Sequence, residues 1–175
     1  MAQEKPRKEL LHQGRFLEMF KLGGWEYVER VGSSGVVVIL AVTDENELVL
    51  VEQHRVPVGA RVIELPAGLA GDLPGARDED FREAARRELL EETGYEAESI
   101  EFVCEGPPSA GVTSEFQTLL RATGLRKTGP GGGDESEDIT VHAISLDQLD
   151  AWLTAAVERG CLIDPKIYAG LYFLG

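Results

Sequence analysis

Cysteine and histidine are scarce in this chain of 175 residues. It has two cysteines, Cys104 and Cys161, which lie far apart, and three histidines scattered along the sequence. The two cysteines do not have the spacing of a zinc site or of a redox-active dithiol. No recognisable motif places a serine or cysteine beside a histidine. The sequence therefore gives no support for a disulfide framework, a cysteine–histidine metal site or nucleophilic catalysis.

Long apolar runs and clusters of positive charge are also lacking. No segment approaches the roughly 20 apolar residues of a membrane helix, and the polar N-terminus lacks the apolar core of a signal peptide. Acidic residues outnumber basic ones by 31 to 17, the net charge is −14 and the pI is about 4.6. This balance disfavours contact with a nucleic-acid backbone. We expect a cytoplasmic protein that binds neither nucleic acid nor membranes.

The length of the chain suits one domain, with residues 1–33 as an N-terminal arm and strand and residues 34–175 as the core. Alternating and β-branched segments predict strands at 25–31, 36–42, 47–53, 62–65, 100–104, 117–122 and 139–144. Segments 36–42 and 47–53 are predicted to form a hairpin. Helices are predicted at about 80–93, 146–158 and 165–173. This order indicates an α/β fold in which a mixed sheet lies between helical layers.

Near the C-terminal end of the first helix, three carboxylates share one side. At about 100° of rotation per residue, Glu88, Glu91 and Glu92 project within roughly a 100° arc. Their mutual repulsion and the negative end of the helix dipole, close to Gly94, are both unfavourable. A hard divalent cation would reverse the sign of these interactions. The alternative is a solvated acidic face in which Arg87 pairs with Glu91, four residues away.

This helix and its approach resemble the Nudix box, G-x5-E-x7-R-E-U-x-E-E-x-G-U, where U is an apolar residue. From Glu79 onward the match is complete, because seven residues separate Glu79 from Arg87 and residues 87–95 read RELLEETGY. One departure is visible. The matching first glycine is Gly68, yet ten residues rather than five separate it from Glu79. We interpret this as a five-residue insertion at about 71–75, which a surface loop absorbs at small cost.

Outside the box, the resemblance covers most of the chain and indicates the ADP-ribose pyrophosphatase branch of that family. Residues 51–55 (VEQHR) and 64–68 (ELPAG) resemble the branch's approach to the box. Residues 106–111 (GPPSAG), followed by Ser114 and Glu115, resemble its proline-bearing segment. Residues 135–139 (ESEDI) resemble its acidic catalytic loop. The resemblance implies a Nudix-type α/β/α sandwich with a mixed central sheet and an N-terminal β arm.

The resemblance also implies a set of metal ligands and catalytic groups. The metal ligands would be the side chains of Glu88, Glu91 and Glu92 and the carbonyl of Ala67. Arg87 would hold a carboxylate in place, since a guanidinium cannot bind a cation. The general base would come from the acidic loop, with Glu135 the first candidate and Glu137 the second.

Four further residues are expected to bind substrate by the same resemblance. Trp25 would stack on adenine, although a tryptophan in a strand is more often part of a core. Arg55 would contact a phosphate, with a surface ion pair as its alternative. Glu64 belongs to the approach to the box. Glu115 would be a supporting acid near the metals or only a charge at a strand edge.

The implied activity is Mg²⁺-dependent hydrolysis of ADP-ribose or a related nucleoside diphosphate sugar, with Mn²⁺ as a possible substitute. The products would be a nucleoside monophosphate and a sugar phosphate. Other nucleotide sugars, such as GDP-mannose or ADP-glucose, are alternative substrates. A non-hydrolytic ligand sensor with the same fold is a further alternative, which the intact acidic motif disfavours. The N-terminal segment resembles the sheet through which this branch forms homodimers.

Overall fold

The computed structural model describes residues 6–73, 75–133 and 138–175. Within these ranges the chain forms eleven strands and three α-helices. The strands are β1 (Lys8–Gln13), β2 (Leu17–Leu22), β3 (Trp25–Arg30), β4 (Gly35–Ala41), β5 (Glu47–Arg55), β6 (Ala60–Glu64), β7 (Ala67–Ala70), β8 (Tyr95–Gly106), β9 (Gln117–Lys127), β10 (Thr140–Ser145) and β11 (Leu162–Ile163). The helices are α1 (Phe81–Thr93), α2 (Leu149–Glu158) and α3 (Lys166–Tyr172).

Two four-stranded mixed sheets form the centre of the molecule. The first has the order β7-β4-β9-β8, in which β4 and β9 are parallel and the other pairs are antiparallel. The second has the order β10-β5-β6-β11, in which only the short β6–β11 pair is parallel. The sequence predicted one mixed central sheet, and the structure divides it into these two.

Strand β4 explains why helices cover both faces of the centre. Val36, Val38 and Leu40 pack in one apolar cluster with buried residues of α2 and α3. Val37 and Ile39 point the other way and pack with buried residues of α1. Because successive side chains of a strand face opposite sides, a strand buried on both faces is apolar throughout. The α/β/α layering predicted from the sequence is confirmed.

The N-terminal strands form a separate antiparallel sheet with the order β1-β2-β3. A backbone hydrogen bond connects this sheet to the loop after β8: the Val28 N–H donates to the Val112 carbonyl at 2.9 Å. The strand patterns predicted β3 but not β1 and β2, which are largely exposed and have no clear alternation. The family resemblance alone implied an N-terminal β arm. Apolar side chains of this sheet are exposed, among them Leu10, Phe16, Leu17 and Trp25.

The predicted hairpin of segments 36–42 and 47–53 is only partly correct. The turn forms, and the Thr43 N–H donates to the Glu47 carbonyl at 2.9 Å. Beyond it β4 and β5 are paired at one isolated bridge, between Val42 and Leu48, and then enter different sheets. The three predicted helices are present. No helix of the described chain combines the length and apolarity that crossing a bilayer requires.

Candidate active site

A cavity of about 700 Å³ lies between helix α1 and the strand ends that face it. Its walls come from strands, loops and two helices that are far apart in sequence. The described lining residues are Arg30, Val36, Arg55, Glu64, Ala67, Gly68, Leu69, Asp72, Leu73, Arg87, Glu88, Glu91, Glu92, Glu115, Gln117, Gly133 and Lys166. Apart from Trp25, the predicted site residues within the described chain are therefore brought together.

Helix α1 begins and ends at well-defined caps. Asp80 is its N-cap, and its carboxylate accepts a hydrogen bond from the Arg82 N–H at 2.8 Å. Gly94 ends the helix in the left-handed conformation, with φ of 70°. Ala84, Ala85 and Leu89 are buried in the core. The caps and this buried side fix the rotation of the helix, so the acidic side lines the cavity.

The three acids of the helix differ in their exposure. Glu92 is only 5% exposed, and its Oε2 accepts a hydrogen bond from the Ala67 N–H at 3.1 Å. The Glu88 side chain is 13% exposed, whereas that of Glu91 is 55% exposed. Gly68 lies against Glu88 so closely that a Cβ at this position would be 1.9 Å from the Glu88 Cδ. A side chain at position 68 would therefore displace the Glu88 carboxylate from its position.

Arg87 is surrounded by oxygen atoms. Its Nη1 lies 2.8 Å from Glu88 Oε1 and 3.4 Å from Glu91 Oε2. Its Nε and Nη2 each lie 3.2 Å from a different oxygen of Glu79. Nη2 also donates to the Leu69 carbonyl at 2.9 Å. The planar guanidinium thus joins the acidic helix to the preceding strand and loop. The positioning role implied by the resemblance stays a prediction.

Glu79 does not line the cavity, and its carboxylate has a structural role. One oxygen accepts a hydrogen bond from the Gly71 N–H at 3.0 Å, in addition to the contacts with Arg87. The hydrogen bonds from Arg87 lower the pKa of Glu79 below its ordinary value, because they stabilise the charged form. These contacts hold Glu79 firmly against the helix.

Glu88 has the opposite electrostatic environment. Burial raises its pKa, and although Arg87 acts against this, the charges of Glu91 and Asp72 add to it. The charged form of Glu88 is therefore less favourable here than in water. Within the described residues, no three acidic, histidine or cysteine side chains already converge as a metal site. The donor chemistry nevertheless fits a hard divalent ion, since carboxylate oxygens and the backbone of Ala67 border the same cavity.

Two arginines of the cavity are paired with acids. The Arg55 Nε lies 2.6 Å from Glu64 Oε2. The Arg30 Nε lies 2.6 Å from Glu115 Oε1. Arg55, Glu64 and Glu115 were expected at the site from the sequence, but Arg30 was not. No local signal could have indicated Arg30, because its partner is 85 residues away and belongs to another segment.

Trp25 is 68% exposed and is not among the residues that line the cavity. It lies beside the loop after β8, where a Cβ at Gly111 would be 4.0 Å from its ring. Its assignment as an adenine platform stays a prediction. Lys166 lines the cavity and was not expected there from the sequence. Asp72 and Leu73, from the inferred insertion at about 71–75, line it too.

Glu135 and Glu137, the two predicted general bases, lie outside the described residues. The segment before them is bonded to the end of α1, because the N–H groups of Gly132 and Gly133 donate to the carbonyls of Glu92 and Glu91 at 2.8 and 3.1 Å. Gly131 approaches the helix closely, since a Cβ there would be 2.4 Å from the Thr93 carbonyl carbon.

The segment after residue 137 is held by a charged cluster on β5, β6 and β10. Arg61 donates to Asp138 at 2.8 Å and to Glu52 at 2.6 Å, and His142 lies 3.1 Å from Glu52. Burial raises the pKa of Glu52, but the hydrogen bonds from Arg61 and His142 outweigh it and lower the pKa. Described residues on both sides of 134–137 are thus fixed to the fold.

Comparison with known proteins identifies the family. A family model described as NUDIX domain matches residues 33–163. The chain belongs to the Nudix family.

Named relatives extend the similarity beyond this domain match. The chain is 34% identical over 173 residues to the ADP-ribose pyrophosphatase of Mycobacterium tuberculosis (strain ATCC 25618 / H37Rv), covering 93% of this chain and 78% of that protein. It is 32% identical over 188 aligned positions to the ADP-sugar pyrophosphatase of Mus musculus, covering 93% and 83%. It is 39% identical over 121 residues to the methanol dehydrogenase activator of Bacillus methanolicus. That match covers 69% of this chain and 63% of the activator.

A solved structure supports the fold independently. The crystal structure of an ADP compounds hydrolase superposes with a TM-score of 0.65 at 22% identity, covering 88% of this chain and 85% of that one. At this level of identity the likeness shows the fold alone.

Proposed function

We propose that this protein is a Mg²⁺-dependent pyrophosphohydrolase that cleaves ADP-ribose or a related nucleoside diphosphate sugar to a nucleoside monophosphate and a sugar phosphate. The observation that carries the proposal is the convergence of Glu88, Glu91 and Glu92 with the Ala67–Gly68 backbone in one cavity of about 700 Å³. Relatives named ADP-ribose pyrophosphatase and ADP-sugar pyrophosphatase support the substrate class.

The acidic residues of α1 and the carbonyl of Ala67 would hold the metal ions. Bound there, Mg²⁺ or Mn²⁺ supplies neutralisation of the pyrophosphate and acidification of a water. Arg87 keeps Glu88 and Glu91 in place through its contacts at 2.8 and 3.4 Å. Glu92 is positioned independently of Arg87, because the Ala67 N–H donates to it.

Arg30 and Arg55 are suited to bind the substrate phosphates. Each guanidinium presents several donors in a plane, which matches the geometry of a phosphate. In the structure each contacts a carboxylate at 2.6 Å, so substrate would compete with Glu115 and Glu64 for them. Exchange of one anion for another leaves the arginine charge compensated throughout binding.

The general base is proposed to be Glu135, with Glu137 as the second candidate. Both remain predictions from the family resemblance. Gly133, which directly precedes the predicted acidic loop, lines the cavity, and this supports the proposal. Glu135→Gln and Glu137→Gln, compared at several pH values, distinguish the two. Only the variant that lacks the base should lose the acidic limb of the pH profile.

The decisive experiment measures release of nucleoside monophosphate from ADP-ribose, ADP-glucose and GDP-mannose, with Mg²⁺ and with EDTA. The native protein should turn over one of these substrates only with the metal. Glu92→Gln should reduce kcat by about 10²–10³-fold, as expected for loss of a group that stabilises charge in the transition state. Glu83→Gln is the matched control, since Glu83 is a mostly exposed residue of the same helix outside the cavity. Tight binding of a substrate without turnover would refute the hydrolase and favour a ligand sensor.

We also propose a cytoplasmic homodimer of a single 175-residue Nudix domain, in which residues 1–33 form the contact. The exposed apolar side chains of the N-terminal sheet support this, since Phe16 is 63% and Trp25 68% exposed. Sedimentation velocity should show that the native chain is a dimer. In Phe16→Ser the same measurement should show a shift towards monomer. A native monomer at micromolar concentration would contradict the proposal.

A further inference from the structure

The inserted loop before α1 has a fixed path over its first residues. The Ser34 N–H and hydroxyl donate to the Ala70 carbonyl at 2.8 and 3.1 Å, just before the loop begins. Gly71 is buried and adopts a φ of +74°, and a Cβ there would be 2.8 Å from the Ser34 Oγ. Its N–H donates to Glu79 at 3.0 Å. The direction in which the chain leaves β7 is therefore determined by the core and by the box.

This path brings Asp72 and Leu73 to the wall of the cavity. Asp72 Oδ1 lies 3.4 Å from Arg87 Nη2, and the Asp72 side chain is 34% exposed. Its charge is one of the influences that raise the pKa of Glu88. An acidic side chain of the insertion thus stands beside the acids of the helix.

The described cavity wall has no surplus of positive charge. Six lining side chains are acidic and four are basic. Each basic side chain is paired with an acid: Arg30 with Glu115, Arg55 with Glu64, Arg87 with Glu88 and Lys166 with Asp164. Divalent ions held by the helix would compensate the pyrophosphate itself. A further phosphate on the substrate near Asp72 would meet a carboxylate instead of a cation.

We infer that Asp72 is a specificity-determining residue, which favours nucleoside diphosphate sugars whose distal sugar is uncharged over those that carry an additional phosphate there. This inference rests on the proposed function. The carboxylate would accept hydrogen bonds from sugar hydroxyls and repel a phosphate. Two unit charges about 7 Å apart at an effective dielectric constant of about 40 repel each other enough to weaken binding of the phosphate-bearing substrate by about five- to tenfold.

The test compares kcat/KM for ADP-ribose and for ADP-ribose 1″-phosphate, in the native protein and in Asp72→Asn. Each variant is assayed at its own saturating Mg²⁺ concentration, so that a change in metal affinity does not enter the ratio. The native protein should prefer ADP-ribose, and Asp72→Asn should narrow this preference by about five- to tenfold. Asp78→Asn is the matched control, because it removes the same charge from an exposed residue that follows in the same connection and lies outside the cavity wall.

An unchanged preference in Asp72→Asn, or an equal change in Asp78→Asn, would overturn the inference while leaving the hydrolase intact. Failure of the native protein to hydrolyse ADP-ribose, ADP-glucose and GDP-mannose with Mg²⁺ would instead overturn the proposed activity, and the inference with it. Circular dichroism and the thermal midpoint of each variant verify that the compared proteins are folded.

Discussion

Replacing Arg87 by glutamine should destabilise the metal-free protein by about 2–3 kcal/mol. The guanidinium compensates two carboxylates, Glu79 and Glu88, whose side chains are each only 13% exposed. Removing one partner of a fully buried pair costs about 3–5 kcal/mol, because the other charge is left without compensation. The Arg87 side chain is 19% exposed, so water recovers part of this loss and the expected value lies below that range.

The nature of the contact distinguishes Arg87→Lys from Arg87→Gln. Lysine keeps the charge but cannot reach Glu79, Glu88 and the Leu69 carbonyl with one planar group. We expect it to recover part of the loss and to remain about 1 kcal/mol less stable than the native protein. Arg82→Gln is the control, since Arg82 is an exposed residue of the same helix. Its effect should stay within about 0.5 kcal/mol.

Urea unfolding in EDTA, followed by circular dichroism, measures these differences. Added Mg²⁺ should reduce the stability deficit of Arg87→Gln only in part. A metal near Glu88 and Glu91 would not compensate the charge of Glu79. A deficit of less than about 0.5 kcal/mol in Arg87→Gln would refute the reasoning. Equal losses in Arg87→Gln and Arg82→Gln would show a general effect of helix charge instead.

Three further predictions concern stability. In EDTA at pH 7, Glu88→Gln should stabilise the protein by about 1 kcal/mol, and with Mg²⁺ the same variant should lose hydrolysis. The raised pKa of Glu88 gives stability that is full below pH 4.5 and is lost as the pH rises through the folded pKa, so the gain should vanish in acid. Glu52→Gln should have the opposite sign, because the folded pKa of Glu52 is lowered. Its loss of about 1–2 kcal/mol at neutral pH should disappear as the pH falls through that pKa. Gly131→Ala should cost at least about 1 kcal/mol more than Gly160→Ala, since both glycines have positive φ but a Cβ at Gly160 meets nothing within 4 Å. Denaturant unfolding across pH checks all three, and a reversed sign or equal glycine costs would contradict them.

The parts of the fold that were predicted correctly have a local cause. Strand β4 is apolar along its length because both of its faces are buried, and α1 has an acidic N-cap and a glycine C-cap. The pairing of strands has no such local cause. A tight turn connects β4 and β5, yet β4 pairs with β7 and β9, and β5 with β6 and β10. These partners are selected by packing between distant segments.

The same distinction applies to the site. The spacing of Glu88, Glu91 and Glu92 follows from helix geometry, so the sequence alone places them together. The pairing of Arg87 with Glu91 was weighed as an alternative to metal binding, and the structure shows this contact at 3.4 Å beside a shorter one to Glu88 at 2.8 Å. Arg30 could not be predicted, because it reaches the cavity from the N-terminal sheet through a contact between distant segments.

The five-residue insertion inferred from the sequence is compatible with the geometry of the site. The site requires that Glu79 reach Arg87 and that Gly68 leave room for Glu88. Neither requirement depends on how many residues connect the two positions. The Gly71 N–H and the Arg87 guanidinium fix both oxygens of Glu79, and the spacing from Glu79 to Arg87 is set within and just before the helix. The extra length therefore falls between Gly71 and Glu79, and Asp72 and Leu73 of this stretch line the cavity.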